Sequence, residues 1–179
     1  MRKFWLRLTD ARLKAVLRAL RDSGPCLGDL FENPASAPGF FRPLRAGLRR
    51  AASAASGSPP PLSQALAAAE DFIERLERVF SDLALHGTLP DAPVKEALLY
   101  LQRACGETPA LLSPGDRAGA FARLRGFSAG ARKVLALARA AAEASPSDFS
   151  RNLKFSSIYS GLDAAFDAYE RCAEALFKI

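Results

Sequence analysis

The stretch that decides the fold is Leu153-Lys-Phe-Ser-Ser-Ile-Tyr-Ser-Gly-Leu-Asp-Ala-Ala-Phe-Asp-Ala-Tyr-Glu-Arg-Cys-Ala-Glu-Ala-Leu-Phe-Lys-Ile179, which carries the clearest helical pattern of the chain. At about 100° per residue, its main apolar positions fall within about a third of the helix circumference. These positions are Ile158, Leu162, Ala165, Phe166, Tyr169, Cys172, Ala173 and Leu176. We therefore predict an amphipathic helix that buries this stripe against neighbouring elements.

Four carboxylates form a second stripe on this helix, roughly 130° around from the apolar one. They follow one another at steps of four, three and four residues, and we call them the acidic stripe: Asp163, Asp167, Glu170 and Glu174. Like charges at these spacings repel by about 0.2–0.5 kcal/mol per pair. Three surroundings fit such a stripe: solvent, a basic partner helix, or a hard metal ion such as iron, manganese or magnesium.

The rest of the chain also favours helices. Ala, Leu and Arg dominate the composition, β-branched residues are scarce, and no segment alternates with period two. Besides the last helix, we predict helices over about residues 3–21, 40–55, 62–85, 94–105 and 113–144, joined by short segments rich in Pro and Gly. Short connections place consecutive helices side by side, so the predicted fold is an all-α antiparallel bundle of about six helices.

Cap and breaker residues define the predicted helix ends. Ser23-Gly24-Pro25 and His86-Gly87 are stop signals for the first and third helices. Pro43 fits the first turn of the second helix, where a proline is tolerated. The fifth helix is predicted to begin at Ser113-Pro-Gly-Asp116, with Ser as its N-cap, and Ser145-Pro-Ser-Asp148 repeats that pattern before the last helix.

Charge is divided unevenly along the chain. Residues 1–56 carry eleven Lys and Arg against four Asp and Glu, and residues 57–179 carry fourteen against fifteen. The division coincides with Ser56-Gly-Ser-Pro-Pro-Pro61, which is the best candidate for an internal boundary in a chain that we predict to be one domain over residues 1–179. The basic part favours an anionic membrane surface or an acidic partner, unless its basic faces are merely solvated. No nucleic-acid reader motif accompanies the charge, so no nucleic acid is expected.

The cysteines and the hydropathy indicate a reduced compartment. The chain has three cysteines, an odd number, and they lie far apart: Cys26, Cys105 and Cys172. Both facts argue against a disulfide framework. No run of about twenty apolar residues could span a membrane, and charged residues interrupt the N-terminal apolar positions that a secretory signal would need. We expect a cytoplasmic protein, with a peripheral position at the inner membrane as one alternative.

Catalytic motifs are not recognisable. His86 is the sole histidine and lies at a predicted helix end, where the helix dipole alone favours it. One histidine without paired cysteines makes a poor zinc or Cys/His site. Gly119, Gly126 and Gly130 fit neither of the common phosphate-loop spacings. We therefore predict that the protein is not an enzyme.

The closing segment resembles a known bacterial family. The pattern Ile158-Tyr159-x-x-Leu162-Asp163-x-x-x-Asp167-x-x-Glu170-x-x-Ala173 is similar to the C-terminal helix of the PhoU-like phosphate transport regulators, in the short form usually encoded beside a Pit-type phosphate permease. Thr88-Leu-Pro-Asp91 is similar to the central turn of that family. The resemblance implies an all-helical bundle whose acidic pairs of the form Glu/Asp-x-x-x-Asp bind metal clusters on the bundle surface.

The resemblance assigns Asp163 and Asp167 to such a metal-binding pair, and Glu70 and Glu74 share the same spacing on the third helix. Further pairs that the family places on other helices are replaced here by Leu101-Gln-Arg-Ala104 and by Ala131-Arg-Lys-Val134. Our hypothesis is that basic side chains have replaced the metal. Three arginines recur every seven residues on the fifth helix and can face the acidic stripe if that helix packs antiparallel to the last one: Arg125, Arg132 and Arg139.

The function that the resemblance implies is a non-enzymatic accessory or regulatory role in phosphate transport. The partner would be a membrane phosphate transporter, contacted at the cytoplasmic membrane face, and residues 1–56 would favour that surface. Two alternatives remain at this point: a generic α-helical interaction module with no phosphate role, and a metal-binding carboxylate protein. Association into a homo-oligomer is compatible with each of them.

Overall fold

The computed structural model describes residues 10–54, 59–113, 115–144 and 149–179, and these residues form six α-helices and no strand. The helices are α1 (Ala11–Asp29), α2 (Ala37–Ser53), α3 (Pro60–Leu85), α4 (Ala92–Glu107), α5 (Arg117–Glu143) and α6 (Phe149–Lys178). Short 3-10 helices, Pro34–Ser36 and Thr108–Leu112, precede α2 and follow α4. The prediction of an all-α bundle of about six helices is confirmed.

The centre of the bundle is the contact between α3 and α6. The rings of Phe72 and Tyr169 meet edge to face with their centroids 5.6 Å apart. Both are completely buried, and the Cys172 thiol beside them donates to the main-chain oxygen of Ala65 at 3.4 Å. Every apolar position predicted for the stripe of α6 is buried, and one hydrophobic core contains residues from all six helices.

Helix α1 continues past the predicted stop at Ser23-Gly24-Pro25 and ends at Asp29. Leu27 and Leu30 are 1% and 0% exposed, so the buried stripe that starts at Leu13 continues through the breaker residues. Pro25 faces solvent, where the loss of one main-chain hydrogen bond is least costly. Burial of two leucines therefore overrides a local stop signal.

Helix α2 begins at Ala37, three residues before its predicted start. The 3-10 helix Pro34–Ser36 leads directly into it, and Ala37 and Phe41, one turn apart, are both completely buried. The early start is thus stabilised by packing. As a consequence Pro43 lies in the second turn and not the first, and it is exposed there.

Helix α5 begins at Arg117, after the predicted start at Ser113. Asp116 is its N-cap residue, but the Asp116 carboxylate makes no capping hydrogen bond and instead pairs with Arg123 at 2.6 Å. Ser113 has extended backbone at the end of the 3-10 helix Thr108–Leu112. The sequence pattern did not reveal that the Asp116 carboxylate would form an ion pair in place of a helix cap.

The third and fourth helices follow the sequence prediction closely. Helix α3 ends at Leu85 with His86 as its C-cap residue, and Gly87 has a positive φ of 60°, which is the backbone conformation that glycine adopts most easily. Helix α4 extends the predicted range by two residues at each end. Predictions for residues 1–9, 55–58, 114 and 145–148, including the start of the first helix and part of the Pro-rich linker, lie outside the described residues.

The three cysteines are free thiols, with Cys105 and Cys172 buried and Cys26 partly buried. Burial raises the pKa of the Cys105 thiol to about 12, because an apolar site disfavours the thiolate. These side chains therefore act as small apolar residues. No helix within the described ranges is both long and apolar enough to cross a membrane.

The contact between α3 and α6 yields a stability test. A methyl group added at Gly161 would lie 2.9 Å from Cγ2 of Val79, which is 1% exposed and cannot move aside freely. We expect Gly161→Ala to lower the free energy of unfolding by about 1–2 kcal/mol, measured by urea denaturation. The matched control is Gly126→Ala on α5, where a methyl group meets nothing within 4 Å. It should raise the stability by about 0.5–1 kcal/mol, and equal effects of the two substitutions would contradict the close approach.

Candidate functional site

Helices α5 and α6 lie side by side in antiparallel orientation, as contacts at both ends show. Near the start of α5, the Arg117 guanidinium donates to the main-chain oxygens of Leu176 and Phe177 at the end of α6. At the other end, the Asn152 side-chain amide donates to the main-chain oxygen of Ala142 at 2.8 Å. This orientation is the one that the hypothesis of a basic partner helix required.

The acidic stripe faces the arginines of α5. The Arg132 guanidinium lies 2.6 Å from the Asp167 carboxylate and 3.0 Å from that of Glu170. Arg139 pairs with Asp163. The prediction that α5 supplies basic partners to the acidic stripe is confirmed for two of its three arginines.

The third arginine is placed differently. Arg125 and Glu174 line one small cavity beside the ring of Tyr169, and no ion pair joins either of them to another described residue. The ion-pair row therefore covers the part of α6 from Asp163 to Glu170. It does not extend over the last two turns of that helix.

The spacing of the charges on the two helices explains the match. Seven residues separate Arg132 from Arg139, and seven separate Asp163 from Glu170. On each helix the charged positions are therefore two turns, or about 10 Å, apart, so that they lie opposite each other on the antiparallel pair. Since the side chains of Arg132 and Asp167 are 41% and 58% exposed, their pairing stabilises the fold by only about 0.2–1 kcal/mol. The row fixes the register of α5 on α6 more than it adds stability.

A second row of ion pairs, which was not predicted, joins α2 to α3. The Arg45 guanidinium lies 2.8 Å from the Glu77 carboxylate and 3.4 Å from that of Glu74, and Arg49 lies 2.5 Å from Glu70. The Glu77 side chain is 13% exposed, which makes it the least exposed carboxylate in either row. The sequence did contain a signal for this row, because steps of three and four residues separate the charged residues on both helices.

The four residues assigned to metal are therefore all held by arginines. Asp163 and Asp167 pair with α5, whereas Glu70 and Glu74 pair with α2. In the part of the chain that the structure describes, no group of three or more His, Cys, Asp and Glu side chains is placed to hold a metal ion. These residues do not fit the ligand set of a metal cluster, and the assignment of Asp163 and Asp167 to metal stays a prediction.

The two segments that carry the family resemblance contact each other through Asp91. One Asp91 carboxylate oxygen accepts the main-chain N–H of Val94 at 2.9 Å and so caps α4. The other accepts the hydroxyl of Tyr159 on α6 at 2.5 Å. Tyr159 is 4% exposed, and its burial, together with the Asp91 carboxylate, raises the pKa of the Tyr159 hydroxyl. A single carboxylate thus joins the start of α4 to α6, a contact that was not predicted.

The Asp91 contact predicts a measurable coupling. Asp91→Ala removes a helix cap and leaves the buried Tyr159 hydroxyl without its acceptor, so we expect a loss of about 2 kcal/mol in unfolding free energy. Tyr159→Phe should cost about 1.5 kcal/mol on its own, and the double variant about 1 kcal/mol less than the sum. Urea denaturation measures all three. Tyr100→Phe is the control, since no hydrogen bond joins Tyr100 to Asp91, and it should show no coupling to Asp91→Ala.

The register of α5 on α6 predicts a second, weaker coupling. A double-mutant cycle of Arg132→Ala and Asp167→Ala should give a coupling free energy of about 0.2–1 kcal/mol, because the pair is partly exposed. The coupling should fall in 1 M salt, where the screening length is about 3 Å. The control cycle combines Lys133→Ala, at the adjacent exposed residue, with Asp167→Ala, and it should show no coupling. Equal coupling in both cycles would mean that the contact has no specific geometry.

Comparisons with protein-family models and with curated proteins found no match to this chain. The likeness to the PhoU-like family therefore rests on the residues of α6 and of the turn before α4. Independently of any relative, the geometry is that of an all-α bundle whose acidic stripe is paired with arginines of the neighbouring helix.

Proposed function

We propose that this chain is a non-enzymatic, PhoU-like accessory or regulatory protein of phosphate transport, which acts by protein–protein contact at the cytoplasmic face of the membrane. The observation that carries the proposal is the Asp163 and Asp167 pattern of the closing helix, set in an all-helical bundle. The contact of Asp91 with Tyr159 supports it, since it joins the two segments that show the resemblance.

The arginine pairs give this proposal a specific form. In the family that the closing helix resembles, metal clusters occupy the acidic pairs of the bundle surface. Here Arg132 and Arg139 hold the corresponding carboxylates. The role proposed for this chain therefore depends on the shape and charge of the bundle and not on a bound metal ion.

The basic composition of α1 and α2 supports a position near the membrane. The described residues 10–54 carry eight Lys and Arg against four Asp and Glu. The cytoplasmic leaflet is negative, and each nearby Lys or Arg contributes about 1 kcal/mol of attraction to it. Helices α1 and α2 would then lie closest to the transporter and its lipid surroundings.

Phosphate uptake by cells tests the proposal. Deleting the gene should change the initial rate of radiolabelled phosphate uptake, and restoring the full chain should return the rate to that of the parent strain. Sulfate uptake in the same strains is the control and should not change, because the proposed partner is a phosphate transporter.

The remaining outcomes separate the alternatives. Unchanged phosphate uptake in the deletion strain would contradict the proposal and leave a helical interaction module without a phosphate role. A purified chain that contains iron, manganese or magnesium, and melts at a lower temperature once the metal is removed, would favour the metal-carboxylate alternative.

A further inference from the structure

A groove of about 450 Å³ runs between the basic helices α1 and α2. Its α1 side extends from Ala11 to Asp22, and its α2 side from Pro43 to Arg50. At 1.5 Å per residue, the α1 side is about 16 Å long, which corresponds to three turns of a helix. We call it the α1–α2 groove.

Small and apolar side chains form the floor of the α1–α2 groove. Ala15 and Ala19 lie one turn apart on α1, and Gly47 faces the groove from α2. A methyl group added at Gly47 would meet nothing within 4 Å, so the backbone is open to an incoming chain there. Leu44 is partly buried and adds apolar surface. Such a floor accepts the apolar face of a helix that packs against it.

Cations line the rims of the same groove. Lys14 and Arg50 are exposed, and neither forms an ion pair with another described residue. Arg18 pairs with Asp22 at 3.3 Å, but its side chain is 76% exposed and can turn towards a partner. Three cations thus surround an apolar floor beside a single carboxylate. The arginines of the two ion-pair rows, in contrast to Lys14 and Arg50, each have a carboxylate within 4 Å.

A second groove shows that charge, and not size, distinguishes the first. The groove between α3 and α6 has a similar volume of about 430 Å³. Its charges are balanced, since Arg171 pairs with Asp71 at 2.5 Å and Glu174 lies one turn from Lys178. It therefore offers no net attraction for a charged segment.

We propose that the α1–α2 groove binds an acidic amphipathic helix of a partner protein. About three turns of such a helix would place apolar side chains on the floor and carboxylates against Lys14, Arg18 and Arg50. The complementary charge would speed association and select the partner. The inference rests on the proposed function in one respect, namely that the partner is the transporter contacted at the membrane face.

A designed peptide tests the groove directly. The probe is a fluorescent helical peptide of about four turns, with Leu and Ala on one face and Glu along both edges of that face. Its binding to the full chain is measured by fluorescence anisotropy in low salt and should weaken as salt is added. Lys14→Glu with Arg50→Glu should weaken binding by about tenfold or more. The control, Arg103→Glu with Lys133→Glu, changes the net charge equally with exposed residues outside the groove and should bind as the unchanged chain does.

Three results would overturn the inference. The first is equal binding of a peptide with Lys in place of Glu, and the second is equal binding by both double variants, with circular dichroism confirming that each is folded. The third is a chain that does not bind the peptide but floats with anionic vesicles, provided that flotation requires Lys14 and Arg50. That result would assign the groove to lipid headgroups. Peptide binding as expected, with phosphate uptake unchanged in the deletion strain, would refute the proposed function and leave the groove assignment in place.

Discussion

The close approach of α3 and α6 is the constraint on which the rest of the structure depends. Gly161 lets the two backbones come near enough for Val79 to fill the space that a side chain would take, and Phe72 meets Tyr169 about two turns further along the same contact. The other helices bury their apolar stripes in the same hydrophobic core. Burial of this kind is strong but has no preferred direction, so it does not determine how far each outer helix slides along the centre.

The ion-pair rows supply the direction that burial lacks. Helix α2 is aligned on α3 through Arg45 and Arg49, and α5 is aligned on α6 through Arg132 and Arg139. The two rows flank the central pair, and each uses charges three, four or seven residues apart, so that a shift by one turn would leave a charge at the end of the row without its partner. Each pair adds little stability, yet a row discriminates between registers that bury nearly the same apolar area.

The parts of the fold that depend on a long periodic pattern could be predicted from the sequence, and those that depend on competition between interactions could not. The stripe of α6 and the end of α3 at His86-Gly87 are of the first kind. Ser23-Gly24-Pro25 is of the second, because the burial of Leu27 outweighs a stop signal that is read locally. It was also predictable that arginines of α5 face the acidic stripe, because both sets of charges repeat at helical spacing. The contact between Asp91 and Tyr159 was not, because it joins residues 68 positions apart.

The pairing of the acidic stripe with Arg132 and Arg139 has a consequence for how the protein responds to its surroundings. A metal ion that bridges two helices is a separate component, and the joint it makes depends on supply, competition and chelators. A guanidinium is attached to the same chain as the carboxylate that it meets, so its local concentration is set by the fold alone. The ion pairs between α5 and α6 therefore need no component beyond the chain itself, and they form as the chain folds.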